Sequence, residues 1–272
     1  MKLAIIGSGQ CRKLLRTHLN KAFETANKDF YFHTWEDENN PHWNKLQSFF
    51  PDAIIEIEKY KDHFDNYKQY RNVSVDKLRY EFAQFYTVLK SFKLVEGEYN
   101  FYFRTRTDIG YQHDILNFFD ENDSCHTDLR RWTWHAIKQT TDQALWRQVG
   151  GNDLDALLIN QDNLDYRIME LKPIVWAPTR MADPIHGVSF DDFSWTMNNK
   201  AFNILKDLNI NEVMRQAIDI KLDSEFKVQS PLIWSKIMRD NGIYIINAPV
   251  SGSISRGKAK EQNLVPFYGD TN

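Results

Sequence analysis

Residues 99 to 108 read Tyr99-Asn100-Phe101-Tyr102-Phe103-Arg104-Thr105-Arg106-Thr107-Asp108, an aromatic run that predicts a β-strand and yet carries two arginines and ends on an aspartate. Strand side chains alternate between faces, so Tyr102, Arg104, Arg106 and Asp108 point one way and Phe101, Phe103, Thr105 and Thr107 the other. One face is expected to be core and the other charged. Two guanidinium groups on a sheet need a partner, because a buried unpaired charge costs several kcal/mol. Two arrangements supply one. Either an internal carboxylate such as Asp108 neutralises the arginines, or the carboxyl end of the strand opens into a cleft where they face a phosphate-bearing ligand. In the second case Asp108 stands at the cleft mouth as a metal or sugar ligand.

The segments on either side of this strand place it in an α/β sheet. Upstream, residues 2–7 (Lys-Leu-Ala-Ile-Ile-Gly) form a short apolar strand and Ser8-Gly9-Gln10-Cys11-Arg12 a tight turn. Residues 13–26 follow with Leu14, Leu15, Leu19 and Phe23 near helical spacing. Residues 30–35 and 53–57 read as two further strands. Residues 75–95 are the clearest helix, capped by Ser74 or Asp76, with Leu78, Phe82, Phe85, Leu89 and Phe92 on one stripe and Gly97 at its end. Strands alternating with helices indicate one open sheet flanked by helices.

Downstream, residues 112–170 are less regular, with a short helix near 114–119, a Trp-rich stretch at 131–135 and a strand at 156–159. Residues 174–177, 192–196 and 243–246 read as strands, and 199–208 as a helix. A second helix begins at Pro231 and stops before Gly242. The polar tail from Ser251 is expected to be poorly ordered unless it closes over the site.

Composition bounds the function. A chain of 272 residues that is 42% hydrophobic can bury a full core, and no Pro/Gly/Ser-rich linker divides it, so a single domain is expected. A net charge of −3, with both signs interleaved, excludes a broad electrostatic footprint for nucleic acid. Cys11 and Cys125 have neither metal nor redox spacing and read as free thiols in a reducing compartment. The apolar start is too short for a signal peptide or a transmembrane segment, so a cytoplasmic location is expected. Aromatics at 14% fit a bulky core and equally a sugar platform.

Among groups able to do chemistry, the Gly7 to Arg12 turn has the strand-turn-helix setting of a dinucleotide fingerprint, but Arg12 stands where its third glycine belongs. Backbone N–H groups there can still meet a phosphate, with Arg12 adding charge. Asp191-Asp192-Phe193 offers a carboxylate to act as a general base, or a solvated acidic turn. His126, His135 and His186 have no zinc spacing, and neither a Walker loop nor a nucleophile elbow is present.

Taken in order, Ile5-Ile-Gly-Ser-Gly-Gln-Cys-Arg12, Phe32-His-Thr-Trp35, Phe82-Ala-Gln-Phe-Tyr86, Phe103-Arg-Thr-Arg-Thr-Asp108, Phe190-Asp-Asp-Phe193 and Ser230-Pro-Leu-Ile-Trp234 form a pattern. It resembles that of GT-A-like glycosyltransferases of the capsular or surface polysaccharide synthesis type found in bacteria and phages. The resemblance implies a single GT-A-like domain, a Rossmann-like mixed sheet flanked by helices. Residues 1–111 would be a nucleotide-binding half, 112–250 an acceptor and catalytic half, and 251–272 a tail.

The same resemblance implies transfer of a sugar from a nucleotide-diphosphate sugar donor to a hydroxyl acceptor, a glycan by preference. Ser8, Gly9, Gln10 and Arg12 would lie against the diphosphate and Gln84 would reach the donor from its helix. Arg104 and Arg106 would orient the cleft, Asp108 would hold a divalent Mn²⁺ or Mg²⁺, and Asp192 or Asp191 would deprotonate the acceptor. Arg106 replaces the first aspartate of the expected Asp-x-Asp, and Gln229-Ser230 stands where relatives often have an acidic residue. Two other classes stay open. One is an NAD(P)-dependent oxidoreductase using Glu36 at the end of the second strand, the other a sugar-binding domain without turnover.

Overall fold

A computed structural model describes residues 2–11, 27–36, 41–59, 67, 70–74, 82–107, 109–111, 173–177, 179–183, 187–190, 194–223, 230–247 and 252–254. Its centre is a seven-stranded sheet. In chain order the strands are β1 (Lys2–Ser8), β2 (Asn27–Glu36), β3 (Ile54–Lys59), β4 (Phe101–Thr105), β6 (Ile174–Ala177), β9 (Trp195–Met197) and β10 (Tyr244–Asn247). In space they run β10-β6-β9-β4-β1-β2-β3. β3, β2, β1 and β4 are mutually parallel, β9 is antiparallel to both β4 and β6, and β6 is parallel to β10. The class is therefore mixed α/β, as the sequence predicts. Two small antiparallel pairs accompany the sheet, β5 (Ile109–Tyr111) with β11 (Gly252–Ile254), and β7 (Thr179–Asp183) with β8 (Gly187–Phe190).

The helices are α1 (Leu46–Phe49), α2 (Ala83–Lys93), α3 (Asn199–Asp207), α4 (Ile210–Asp223) and α5 (Ser230–Asp240), with a 3₁₀ turn at Pro41–Lys45. α2 forms because Phe85, Val88, Leu89 and Phe92 recur at helical spacing, and all four are fully buried. Each contributes about 1.5–3 kcal/mol by leaving water. They meet the face of the sheet that carries Ala4, Ile6, Tyr31, Trp35, Tyr102, Trp195 and Met197, together with Phe202, Met214 and Trp234 of the other helices. The opposite face carries Leu3, Ile5, Phe32, Phe101, Phe103 and Trp176, all buried. β1 is buried on both faces, which is why it reads as the unbroken run Leu-Ala-Ile-Ile.

Two expectations change. The charged face of β4 is not a separate surface: all five of its residues are buried because the strand lies inside the sheet, between β1 and β9. Tyr102 stacks on Phe202 at 3.8 Å, and Arg104 is only 3% exposed. The strand expected at 192–196 is Trp195–Met197, because those residues pair with β4 and β6. Gly252–Ile254 of the tail pairs with Ile109–Tyr111, and the rest of the tail lies outside the described residues. The expected helices at 13–26 and 114–119, the strand at 156–159 and residues 75–81 of the long helix lie outside the described residues, as do Cys125, His126, His135 and His186.

Candidate active site

In an open parallel sheet, ligands bind beyond the carboxyl ends of the strands where the order reverses. Here the chain runs from β1 outward to β2 and β3 and then returns to the other side of β1 as β4. The reversal falls between β1 and β4. Ser8 ends β1, and Arg104 to Thr107 end β4 and lead out of it.

The geometry joins these two ends. Gly7 stands in register with Thr105, and Ile6 with Arg104. Arg104 Nε donates to Ser8 Oγ at 3.2 Å, and its guanidinium lies over the Trp195 ring, 5.0 Å from the centroid. The indole is itself fixed by Trp234 and Phe92. A stacked, hydrogen-bonded guanidinium is held by packing and keeps its charge whatever the local polarity. Arg106 is half-buried just beyond the strand, while Thr105 and Thr107 are buried beside it. Thr105 Oγ1 donates to the Arg106 carbonyl at 3.2 Å.

The turn after β1 is built for close approach. A Cβ on Gly7 would lie 2.3 Å from Phe32 Cδ1, so only glycine lets β1 and β2 pair with that ring between them. Gly9 has φ +103°, which side chains disfavour. β2 grips it from two sides: Gly9 N–H donates to the His33 carbonyl at 3.3 Å, and Thr34 Oγ1 donates to the Gly9 carbonyl at 2.9 Å. Gln10 follows partly exposed, and Cys11 is buried.

Of the residues expected to form the site, Ser8, Gly9, Gln10, Arg104 and Arg106 therefore converge at the carboxyl ends of β1 and β4. Gln84 lies in the first turn of α2, and its amide nitrogen donates to Ser230 Oγ at the start of α5, so it ties two helices together. Arg12, Asp108, Asp191 and Asp192 lie outside the described residues. Glu36, named for the oxidoreductase alternative, is the last residue of β2, the strand beside β1.

A second cluster went unforeseen. His33 on β2 and Glu56 and Glu58 on β3 place their ligand atoms within 4.8 Å of one another, beneath Tyr86 and Lys90 of α2. His33 Nε2 lies 3.3 Å from Glu58 Oε2, and its side chain has no exposure at all. Neither ring nitrogen makes a hydrogen bond. Such a buried polar group costs about 1–3 kcal/mol. Lys90 Nζ lies 2.9 Å from Glu56 and 2.8 Å from Glu58. Burial pulls the Lys90 pKa down, but the hydrogen bonds it donates to Glu58 and Glu56, with their charge, more than offset it and the group stands above its usual value. The Tyr86 phenol is pushed well up, by burial first and then by the charge and hydrogen bond of Glu58. Alternation in Tyr31-Phe-His-Thr-Trp35 and Ile55-Glu-Ile-Glu58 puts these polar groups on one face each. What the sequence does not give is that β3 pairs with β2, with His33 opposite Glu56.

The chain is similar to several solved glycosyltransferase structures. The galactosyltransferase LgtC in complex with donor and acceptor sugar analogues matches with a TM-score of 0.42 and 10% identity, over 90% of this chain and 73% of that one. An active-site mutant of LgtC matches with a TM-score of 0.39 and 11% identity, over 90% and 72%. Mouse xyloside xylosyltransferase 1 in its apo form matches with 0.37 and 11%, over 90% and 83%. No protein-family model matches the sequence, and no curated protein matches it. Among the described residues no helix is long and apolar enough to cross a membrane.

Proposed function

We propose that the chain is a glycosyltransferase that uses a nucleotide-diphosphate sugar as donor and a hydroxyl, by preference on a glycan, as acceptor. The observation that carries this reading is the buried Arg104, stacked on Trp195 and donating to Ser8 at the carboxyl ends of β4 and β1. A fixed positive charge at a topological switch point, beside a Ser-Gly turn, suits a diphosphate. In the proposed reaction the acceptor oxygen bonds to the anomeric carbon as the bond from that carbon to the diphosphate oxygen breaks. The acceptor proton passes to Asp192, or to Asp191 in its place, and the nucleoside diphosphate leaves with both electrons of the broken bond. Arg104, Arg106 and Arg12 stabilise the charge that develops on the leaving group. Ser8, Gly9, Gln10 and Gln84 position the donor.

In this reading residues 1–111 hold the nucleotide and 112–250 the acceptor, and residues 252–254 of the tail join the first half through the pairing of β11 with β5. A divalent Mn²⁺ or Mg²⁺ at Asp108 belongs to the GT-A resemblance. The chain around Asp108 offers it one carboxylate among two guanidinium groups and two hydroxyls, which is a poor donor set for a hard cation, so no step is routed through it. Polysaccharide synthesis in the cytoplasm completes the proposal.

The end of β2 favours a second reading. Glu36 is the last residue of β2, the strand beside β1, which is where a dinucleotide-binding sheet keeps its ribose carboxylate. A thermal-shift and calorimetric screen of nucleoside diphosphates, nucleotide sugars and NAD(P)H, with and without Mn²⁺, decides between the two. A donor nucleotide should raise the melting temperature, and this should persist in chelator. Tight NAD(P)H binding with no response to any nucleotide sugar reverses the assignment. Donor binding without transfer or hydrolysis identifies a sugar-binding domain instead.

A further inference from the structure

We infer that His33, Glu56 and Glu58 form a binding site for a divalent cation of the zinc class, one strand over from the turn after β1 and independent of whether the chain transfers sugar. Three observations converge on this cluster. One imidazole and two carboxylates have ligand atoms within 4.8 Å of one another, a donor set that suits a borderline cation better than Mg²⁺ or Ca²⁺. His33 is wholly buried and neither of its nitrogens is hydrogen bonded, so the ring keeps an unsatisfied nitrogen that faces the two carboxylates. Its Nε2 lies 3.3 Å from Glu58 Oε2, close to the ligand-to-ligand edge of about 3.4 Å that tetrahedral zinc with bonds of about 2.0–2.2 Å requires.

The charge of the cluster leaves room for the ion. Glu56 and Glu58 share the single ammonium of Lys90, a formal sum of −1 with a neutral imidazole. Lys90 sits on the last turn of α2 with its side chain 23% exposed, so its flexible stem can withdraw toward water while a dication takes its place. Bound there, the ion joins the edge strand β3 to β2. Tyr86 on α2 hydrogen bonds to Glu58 and so would help to orient that ligand.

The test uses the full-length protein after chelator treatment. Equilibrium dialysis against Zn²⁺, read by elemental analysis with Mg²⁺ as comparator, should give one zinc per chain and no magnesium, and Zn²⁺ should raise the melting temperature. Lys90→Gln, which removes the competing charge, should tighten zinc binding about tenfold. His33→Gln should weaken it by at least that factor. Should His33→Gln fail to fold, Glu56→Gln, at a side chain about one-third exposed, serves in its place. Less than half an equivalent of zinc on the wild type overturns the site. So does unchanged affinity in His33→Gln or Glu56→Gln, or weaker binding in Lys90→Gln. Nucleotide binding enters none of these readouts, so failure here leaves the transferase reading untouched.

Discussion

Arg104 and Ser8 are separated by 96 residues in sequence and joined by a hydrogen bond of 3.2 Å across the boundary between β4 and β1. The bond consumes one guanidinium donor and fixes the plane of the group against Trp195. A free arginine loses rotamer entropy when it meets an anion. Here that loss is already incurred on folding, so an incoming diphosphate meets a preorganised donor.

Replacing Arg104 by methionine should separate binding from stability. Exchange of a buried charge for an apolar side chain of similar length is close to neutral for folding, so urea denaturation should shift by less than about 1 kcal/mol. Affinity for the nucleoside diphosphate should fall roughly thirtyfold, the equivalent of about 2 kcal/mol for a lost buried charge contact. Calorimetric titration of both proteins checks this. Unchanged affinity would remove Arg104 from the site.

Gly9→Ala tests the turn. The added Cβ meets no atom within 4 Å, so any cost comes from the backbone at φ +103°. We expect about 1–3 kcal/mol of destabilisation together with weaker nucleotide binding, as the turn leaves the grip of His33 and Thr34. Gly97→Ala is the control. It also has a positive φ, +83°, and an open Cβ position, but it lies in the loop between α2 and β4. It should lower stability without changing affinity.

Elements whose code is local were legible. β1 as an apolar run, α2 from its stripe and α5 from Pro231 to Gly242 needed only neighbours in sequence. α4 was missed although Val213, Met214, Ala217 and Ile218 carry its spacing, because neither Gly nor Pro separates it from α3. The break is made by Asn209, whose side chain accepts from the N–H groups of Asn211 and Glu212. The site divides in the same way. Arg104 was conspicuous as a charge in an aromatic strand, but its burial on both sides depends on β9 arriving from 91 residues further on, Trp195 pairing with Arg104. His33 with Glu56 and Glu58 is likewise a product of strand order.

Asn198→Ala should be among the more damaging polar substitutions. Its Oδ1 accepts from Ala201 N at 3.0 Å, capping α3, and from Ile174 N at 3.1 Å, joining β6 to the end of β9. Removing the amide abolishes the cap and leaves a buried N–H of β6 without this acceptor. A loss of about 2–3 kcal/mol is expected, measurable as a drop in the urea midpoint at constant slope. A change below about 0.5 kcal/mol would show that water or a backbone shift replaces both bonds.

Acid should act at the opposite end of the strands, through Asp29. Lys2 Nζ lies 2.9 Å from its carboxylate and the Tyr99 hydroxyl donates to it at 2.6 Å. The hydrogen bond from Lys2 first, and that from Tyr99 second, hold the Asp29 pKa below its ordinary 3.8. A carboxylate depressed in the folded state stabilises fully above its unfolded pKa. That contribution fades as pH falls from about 3.8 and is gone below the depressed value. Asp29→Asn should therefore melt below the wild type at neutral pH, and the two curves should converge in acid. The pair is 44% and 45% exposed, so the gap should be small and should narrow further in high salt. Melting curves from pH 7 down to about 2.5 provide the check. Curves that stay parallel across that range would mean that the ion pair adds nothing to folding.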